Sequence, residues 1–222
     1  MTDAYYHRGP VTVCMPVSHF FDRIVRNVVG PIEPPFRVLG ITYNYGRDEA
    51  NVDYVNSPAG PRTTTERVVG YSIDHILVVE AIARTARVYS RRVNRATSLP
   101  NPVREDWAAE LRHDFPSWFD IDIECEAGWS DLIRAMAEWL WELGLPKGFR
   151  FVQIEEKFAS LRAYSSGRAL SPQMLDAVRT RVDAFEAVSL FVCEQCGEPG
   201  RPRRCDNFFY AACDKHARGP IA

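Results

Sequence analysis

The stretch from Cys193 to His216, CEQCGEPGRPRRCDNFFYAACDKH, limits what this chain can fold into more than any other. It holds Cys193-x2-Cys196, a gap of sixteen residues, and then Cys213-x2-His216. A Cys-x2-Cys turn brings two thiolates within about 2.3 Å of one ion, and a long gap lets the backbone fold back and deliver two further donors from another side. Gly197, directly after the first pair, suits the tight backbone of a metal knuckle. One turn of helix would set Cys213 and His216 on the same face. The expected product is a treble-clef or ribbon-like finger around a structural zinc ion held by Cys193, Cys196, Cys213 and His216. Cys205 is a fifth donor that four-coordinate zinc has no place for. A four-cysteine site that uses Cys205 is the competing ligand set, and a redox pair at Cys193/Cys196 or simple free thiols are the readings without metal. Nothing marks an open coordination position, so the ion is expected to staple rather than react.

The remaining cysteines agree with this. Four of the six crowd into the last thirty residues, whereas Cys14 and Cys125 stand alone in apolar surroundings and read as reduced, buried thiols, not as a disulfide framework. The first residues lack a basic start followed by a long apolar core, so no signal peptide is expected. The longest apolar stretch, Ile76 to Ala83, is broken by Glu80 and is too short to span a bilayer. A reducing cytoplasm is the expected compartment. A net charge of −2 gives no whole-chain attraction to nucleic acid or to an anionic membrane, so any such binding needs a local patch.

Periodicity along the 222 residues predicts an α+β fold, a small mixed α/β core followed by the finger. The expected organisation is an N-terminal α+β region over 1–100, a second α+β region over 101–190, and the finger over 191–222. In the first region, a short helix is expected near Ser18–Val29, a strand at Phe36–Tyr45 and a partner strand at Asn51–Val55. A long helix follows from about Ser72 to Arg95, with Val78, Ile82, Ala86, Tyr89 and Val93 on one buried face. Arg84, Arg87, Arg91 and Arg95 fall on the opposite side. Glu80 can pair with Arg84, but the other arginines find no acid on their own stripe. They form either a solvated face or a docking surface for phosphates or an acidic partner.

In the second region a short helix is expected at Glu105–His113 and a strand at Trp118–Glu126. That strand would turn Asp120, Asp122, Glu124 and Glu126 to one side. Such a row is either the wet face of an edge strand or a site for a hard cation. A helix over Trp129–Leu143, with Ser130 as its cap, aligns Trp129, Leu132, Ile133, Met136, Leu140 and Leu143, and Gly144 closes it. Trp141 lies off that stripe, to be packed by another segment or offered to a partner. Strands are expected at Phe149–Ile154 and Leu161–Tyr164, with Glu155–Lys157 a polar exit. A last helix, capped by Ser171 and opened by Pro172, runs to Ser189 with Leu175, Val178, Val182 and Phe185 facing inward. It leads directly into the finger, so the metal site should be clamped to the domain.

The segments IECEAGWSDLI, FRFVQIEEKFASLRAYSSG and CEQCGEPGR…ACDKHA resemble an uncharacterised family of small bacterial and phage proteins. That family carries a Gly-Trp helix start, a QIKEKFGGLR strand-turn-strand and a C-terminal CxxCGxPG…CDxH finger. The likeness rests on Gly128, Trp129, Gln153, Glu156, Lys157, Phe158, Leu161, Arg162, Tyr164, Cys193, Cys196, Gly197, Pro199, Gly200, Cys213, Asp214 and His216. It covers about half the chain and implies fold and metal. Ala159-Ser160 stands where two glycines are usual, which leaves a tight turn there without support from sequence, and Glu155 replaces a usual lysine.

The first functional reading is a non-enzymatic, zinc-stapled interaction protein. Its candidate surfaces are the Arg84/Arg87/Arg91/Arg95 stripe, the Arg201/Arg203/Arg204 cluster and Trp141. Residues 191–222 carry five basic and four acidic side chains, so the finger is no strongly cationic reader of nucleic acid, and a protein partner ranks first. The alternative is a magnesium-dependent nuclease or phosphoesterase that uses Asp122 or Glu124 with Glu155 and Lys157. Against it, a full helix separates the two strands in sequence. No G-x-S-x-G, phosphate-binding glycine loop or H-E-x-x-H is present.

Overall fold

The computed structural model describes residues 11–12, 37–44, 49–55, 75–94, 97, 100–166, 170–206 and 208–218. The expected helix near Ser18–Val29, together with Cys14 and Arg95, lies outside them. Among the described residues no helix is long and apolar enough to cross a membrane. The fold is α+β, with three small sheets and four helices among the described elements.

β1 (Val11–Thr12), β2 (Arg37–Asn44) and β3 (Glu49–Val55) form an antiparallel sheet in that order. α1 runs His75–Arg92 beside β3 and packs on two later helices, α3 (Ser130–Trp141) and α4 (Pro172–Ser189). The reason is its apolar stripe: Val78, Ile82 and Ala86 are buried as expected, while Tyr89 and Val93 are only partly covered. α3 is the centre of the fold. Leu132, Ile133, Met136 and Leu140 are sealed from solvent, each worth about 1.5–3 kcal/mol on burial. They meet α1 on one side, and Val178, Val182, Phe185 and Val188 of α4 on another. One hydrophobic core therefore takes residues from both sides of position 100.

β4 (Ile123–Glu124), β5 (Phe151–Lys157) and β6 (Ser160–Ser165) form the second sheet, with α3 as the crossover between the parallel pair β4 and β5. The strand expected over Trp118–Glu126 shrinks to two residues. Trp118 and Phe119 are both buried although adjacent, which a side-chain period of two does not permit. Trp118 packs on Phe115, Phe149 and Trp141, and Phe119 on Phe151. Their backbone carbonyls are taken elsewhere: Phe151 N–H donates to Trp118 O at 2.9 Å, and the Arg112 guanidinium donates to Phe119 O and Ile121 O. Arg112 comes from α2 (Trp107–Asp114). The in-out alternation survives nonetheless, because Asp120, Asp122, Glu124 and Glu126 are exposed while Ile121, Ile123 and Cys125 are partly covered.

Several expected details shift. Glu155–Lys157 belongs to β5, and the β5–β6 turn is Phe158–Ala159, with φ of 55° and 64°. Both central residues sit in the left-handed region without glycine, a cost of about 1–2 kcal/mol each. Glu156 Oε1 accepts the Ala159 N–H at 2.7 Å and holds the turn. Ser130 is the first helical residue of α3 and makes no side-chain cap, because a 3-10 turn at Ala127–Trp129 feeds the helix directly. Ser171 does cap α4, accepting from Met174 N–H at 3.2 Å, but Leu175 is exposed because the first turn of α4 overhangs the core.

α4 is tied to β6 by a buried polar set. Arg162 donates to Glu186 at 2.6 Å, Glu186 accepts from Ala163 N–H at 3.2 Å, and Ser189 Oγ accepts from Leu161 N–H at 2.8 Å. Burial pushes the Glu186 carboxyl above its usual pKa, and Arg162 opposes the shift. Arg162→Leu should therefore cost about 3–5 kcal/mol in urea unfolding, and the Arg162→Leu/Glu186→Leu pair should cost clearly less. With Arg162 gone, folded Glu186 holds its proton more tightly than the unfolded chain does. The single variant should thus lose stability as pH rises from about 4.3, the ordinary glutamate value.

Candidate metal centre

The chain after α4 makes three short pieces. A knuckle at residues 193–197 comes first, then the hairpin of β7 (Arg201–Cys205) and β8 (Phe208–Ala212), then a 3-10 turn at Asp214–His216 that Cys213 begins. The turn stands where a treble clef has its helix. Gly197 adopts φ 75° and its N–H donates to Cys193 O at 2.8 Å, which closes the loop between the first two cysteines. His216 N–H donates to Cys213 O at 3.2 Å and does the same for the second pair.

The ligand atoms of Cys193, Cys196, Cys213 and His216 all lie within 4.8 Å of one another. Cys196 Sγ is 3.8 Å from Cys213 Sγ, and His216 Nδ1 is 3.4 Å from Cys193 Sγ and 3.3 Å from Cys213 Sγ. Two sulfurs about 2.3 Å from a tetrahedral centre stand about 3.8 Å apart, so these residues fit a single ion. Cys193 is fully buried and Cys213 nearly so, while Cys196 and His216 reach the surface in part. The hydrogen bond with Cys196 brings the Cys193 thiol down to about 4, and the same contact drives the Cys196 thiol upward. Metal binding would displace the thiol protons of this set. Arg203 packs beneath the cluster, donating to Ala212 O at 2.9 Å and to Asp214.

The knuckle sits on the start of α3. Gly128 N–H donates to Glu194 O at 2.7 Å, and the Trp129 indole N–H donates to Val192 O at 3.0 Å. A Cβ on Gly128 would lie 2.4 Å from the carbonyl oxygens of Cys193 and Glu194 and 2.5 Å from Gly197 N, all backbone atoms. Gly128 and Trp129 are the structural seat of the finger, a role the sequence reading assigned only to a helix start. The available signal was the glycine directly before Trp129, the first residue of the apolar stripe.

Cys205 stands apart from the cluster. It closes β7 opposite Phe208 and lines a separate cleft with Cys125. Burial, with the charges of Glu194, Glu126 and Glu156, pushes the Cys125 thiol up to about 12. Burial likewise lifts the Glu194 carboxyl to about 7.

The arginine stripe of α1 faces α3 instead of water. Arg84 bonds Glu80 and Glu142 at 2.7 Å each and lies over Trp139, Arg87 bonds Glu138 at 2.6 Å, and Arg91 bonds the same Glu138. The acids missing from the stripe are supplied by the neighbouring helix. In the finger, Arg201 and Arg203 approach Asp214, and Arg204 lies over Phe209. Trp141 packs one side on Phe115 and Trp118, yet remains 53% exposed.

The fold overturns one argument against the nuclease reading, because β4 and β5 are adjacent and Glu124 lies opposite Glu155. It supplies another. Among the described residues, the cysteine–histidine cluster is the one group of three or more metal-donor residues that converge. The Asp122 side chain is fully exposed and 3.8 Å from Arg112, and Lys157 is 3.9 Å from Glu155. No family model, curated protein or solved structure matches the chain.

Gly128→Ala should force the knuckle off α3 and cost about 2–4 kcal/mol, with a matching loss of metal affinity. Thermal unfolding with and without added metal tests this. An unchanged midpoint would mean that the close approach does not hold the finger.

Proposed function

We propose that this is a non-enzymatic interaction protein whose C-terminal finger is stapled by one structural zinc ion. Carrying this reading is the convergence of three sulfurs and one imidazole nitrogen at tetrahedral separations. Soft thiolates with one imidazole select zinc over the hard cations, and four protein donors leave no coordination place for water or substrate. When bound, the ion supplies cross-linking and no reaction chemistry.

The chain's own residues do the rest. Gly128 and Trp129 seat the knuckle, Arg203 braces the hairpin against Asp214, and the hairpin is presented rigidly to solvent. A protein partner suits this surface better than nucleic acid. The basic side chains of α1 that would meet phosphates are engaged with Glu138 and Glu142, and the finger is close to neutral. The resemblance to the bacterial and phage family supports the same metal assignment. Reduced thiolate ligands suit a cytoplasmic setting.

Metal analysis of the purified, dialysed chain should find one zinc per molecule. Cys196→Ser and His216→Ala should lose it, and a loss of about 4 kcal/mol lowers the unfolding midpoint of a chain this size by ~10 °C. Cys205→Ser should keep both zinc and midpoint. Absence of stoichiometric metal would sink the proposal, and a midpoint that follows Cys205 would move the site. Nuclease activity that requires Mg2+ and vanishes with Lys157→Ala would replace it with the enzymatic reading.

A further inference from the structure

Phe208 is 77% exposed and Phe209 45% exposed, side by side at the start of β8. Arg204 lies over Phe209 while Phe208 is left uncovered, so this small hairpin carries apolar side chains with no role in the core, and such side chains mark contact surfaces. They do not stand on open surface. Together with Tyr210 they line a cleft of about 530 Å³ between the finger and the β4–β5 edge. Facing them are Glu124 and Glu126 of the β4 segment, Glu156 of β5 and Glu194 of the knuckle. Asp206 adds a fifth carboxylate, and Arg218 contributes one guanidinium that lies over Tyr210.

Resting on the reading of the finger as a closed, non-catalytic module, we propose that this cleft docks a protein segment that alternates arginine with apolar side chains. The two kinds of lining side chain ask for different things. Phenylalanine rings take leucine-like side chains or the face of a guanidinium, and glutamates take the guanidinium fork. Nucleic acid is disfavoured by five carboxylates at the mouth. β8 touches β5 and runs directly into Cys213 of the cysteine–histidine cluster, which fixes where the strand ends.

The test is fluorescence anisotropy on the full zinc-loaded chain with a labelled peptide of alternating arginine and leucine. A glutamate–leucine peptide and an oligouridylate serve as comparisons, and zinc content is measured on the same sample. The arginine–leucine peptide should bind, weakening about tenfold in Phe208→Ala/Phe209→Ala and about tenfold in Glu124→Gln/Glu126→Gln, with a smaller salt dependence in the latter. These side chains lie outside the core, and unchanged zinc content and circular dichroism confirm that the variants fold. No binding, binding indifferent to both pairs, or preference for either comparison ligand overturns the docking site. A zinc-loaded chain that ignores the peptide leaves the metal reading standing. A chain without zinc that still binds through Phe208 overturns the metal reading and keeps the cleft.

Discussion

No side chain can be placed at residue 128, and the relation of the finger to the rest of the protein follows from that. The knuckle carbonyls of Cys193 and Glu194 approach the Gly128 backbone too closely for a Cβ, while the indole of Trp129, itself buried in the core, reaches Val192. One dipeptide thus serves two structures. It starts the central helix and it carries the cysteine–histidine cluster. Because Trp129 belongs to the main hydrophobic cluster, movement of the finger would disturb the core as well.

Around that joint the polar side chains are used mainly to fix helices and strands against each other. Glu138 of α3 and Glu142 just past its end hold the arginines of α1, Asp131 holds Arg92, and Glu186 of α4 holds Arg162 of β6. Partly desolvated pairs of this kind add modest net stability, but each makes one orientation cheaper than its neighbours. What the outside sees is then set by what these pairs leave over. On the finger side that is an aromatic wall facing carboxylates, not a basic stripe.

The elements legible in the sequence were those whose determinants are local. Pro172 and Ser171 announced α4 to the residue, the period of Leu132 to Leu140 announced α3, and the two ligand pairs announced the cluster. Harder to see were places where long-range packing overrode a local pattern. The alternation of Asp120 to Glu126 predicted a full strand, but Trp118 and Phe119 both turn into the core, and the Phe151 N–H and the Arg112 guanidinium take their carbonyls. Phe158 and Ala159 make a left-handed turn that their residue types disfavour, because the β5–β6 register and Glu156 impose it.

What the amino-acid order determined by itself is the membership of the cysteine–histidine cluster, the amphipathic helices and the α+β class, since the spacing within each pair and the hydrophobic period act over a few residues. The tertiary structure alone decided which residues meet. It turned the arginine stripe inward onto Glu138, brought Glu124 beside Glu155, and separated Cys205 from the other finger cysteines. Those outcomes depend on distances between segments tens of residues apart, which no periodicity encodes and only packing against a shared core can set.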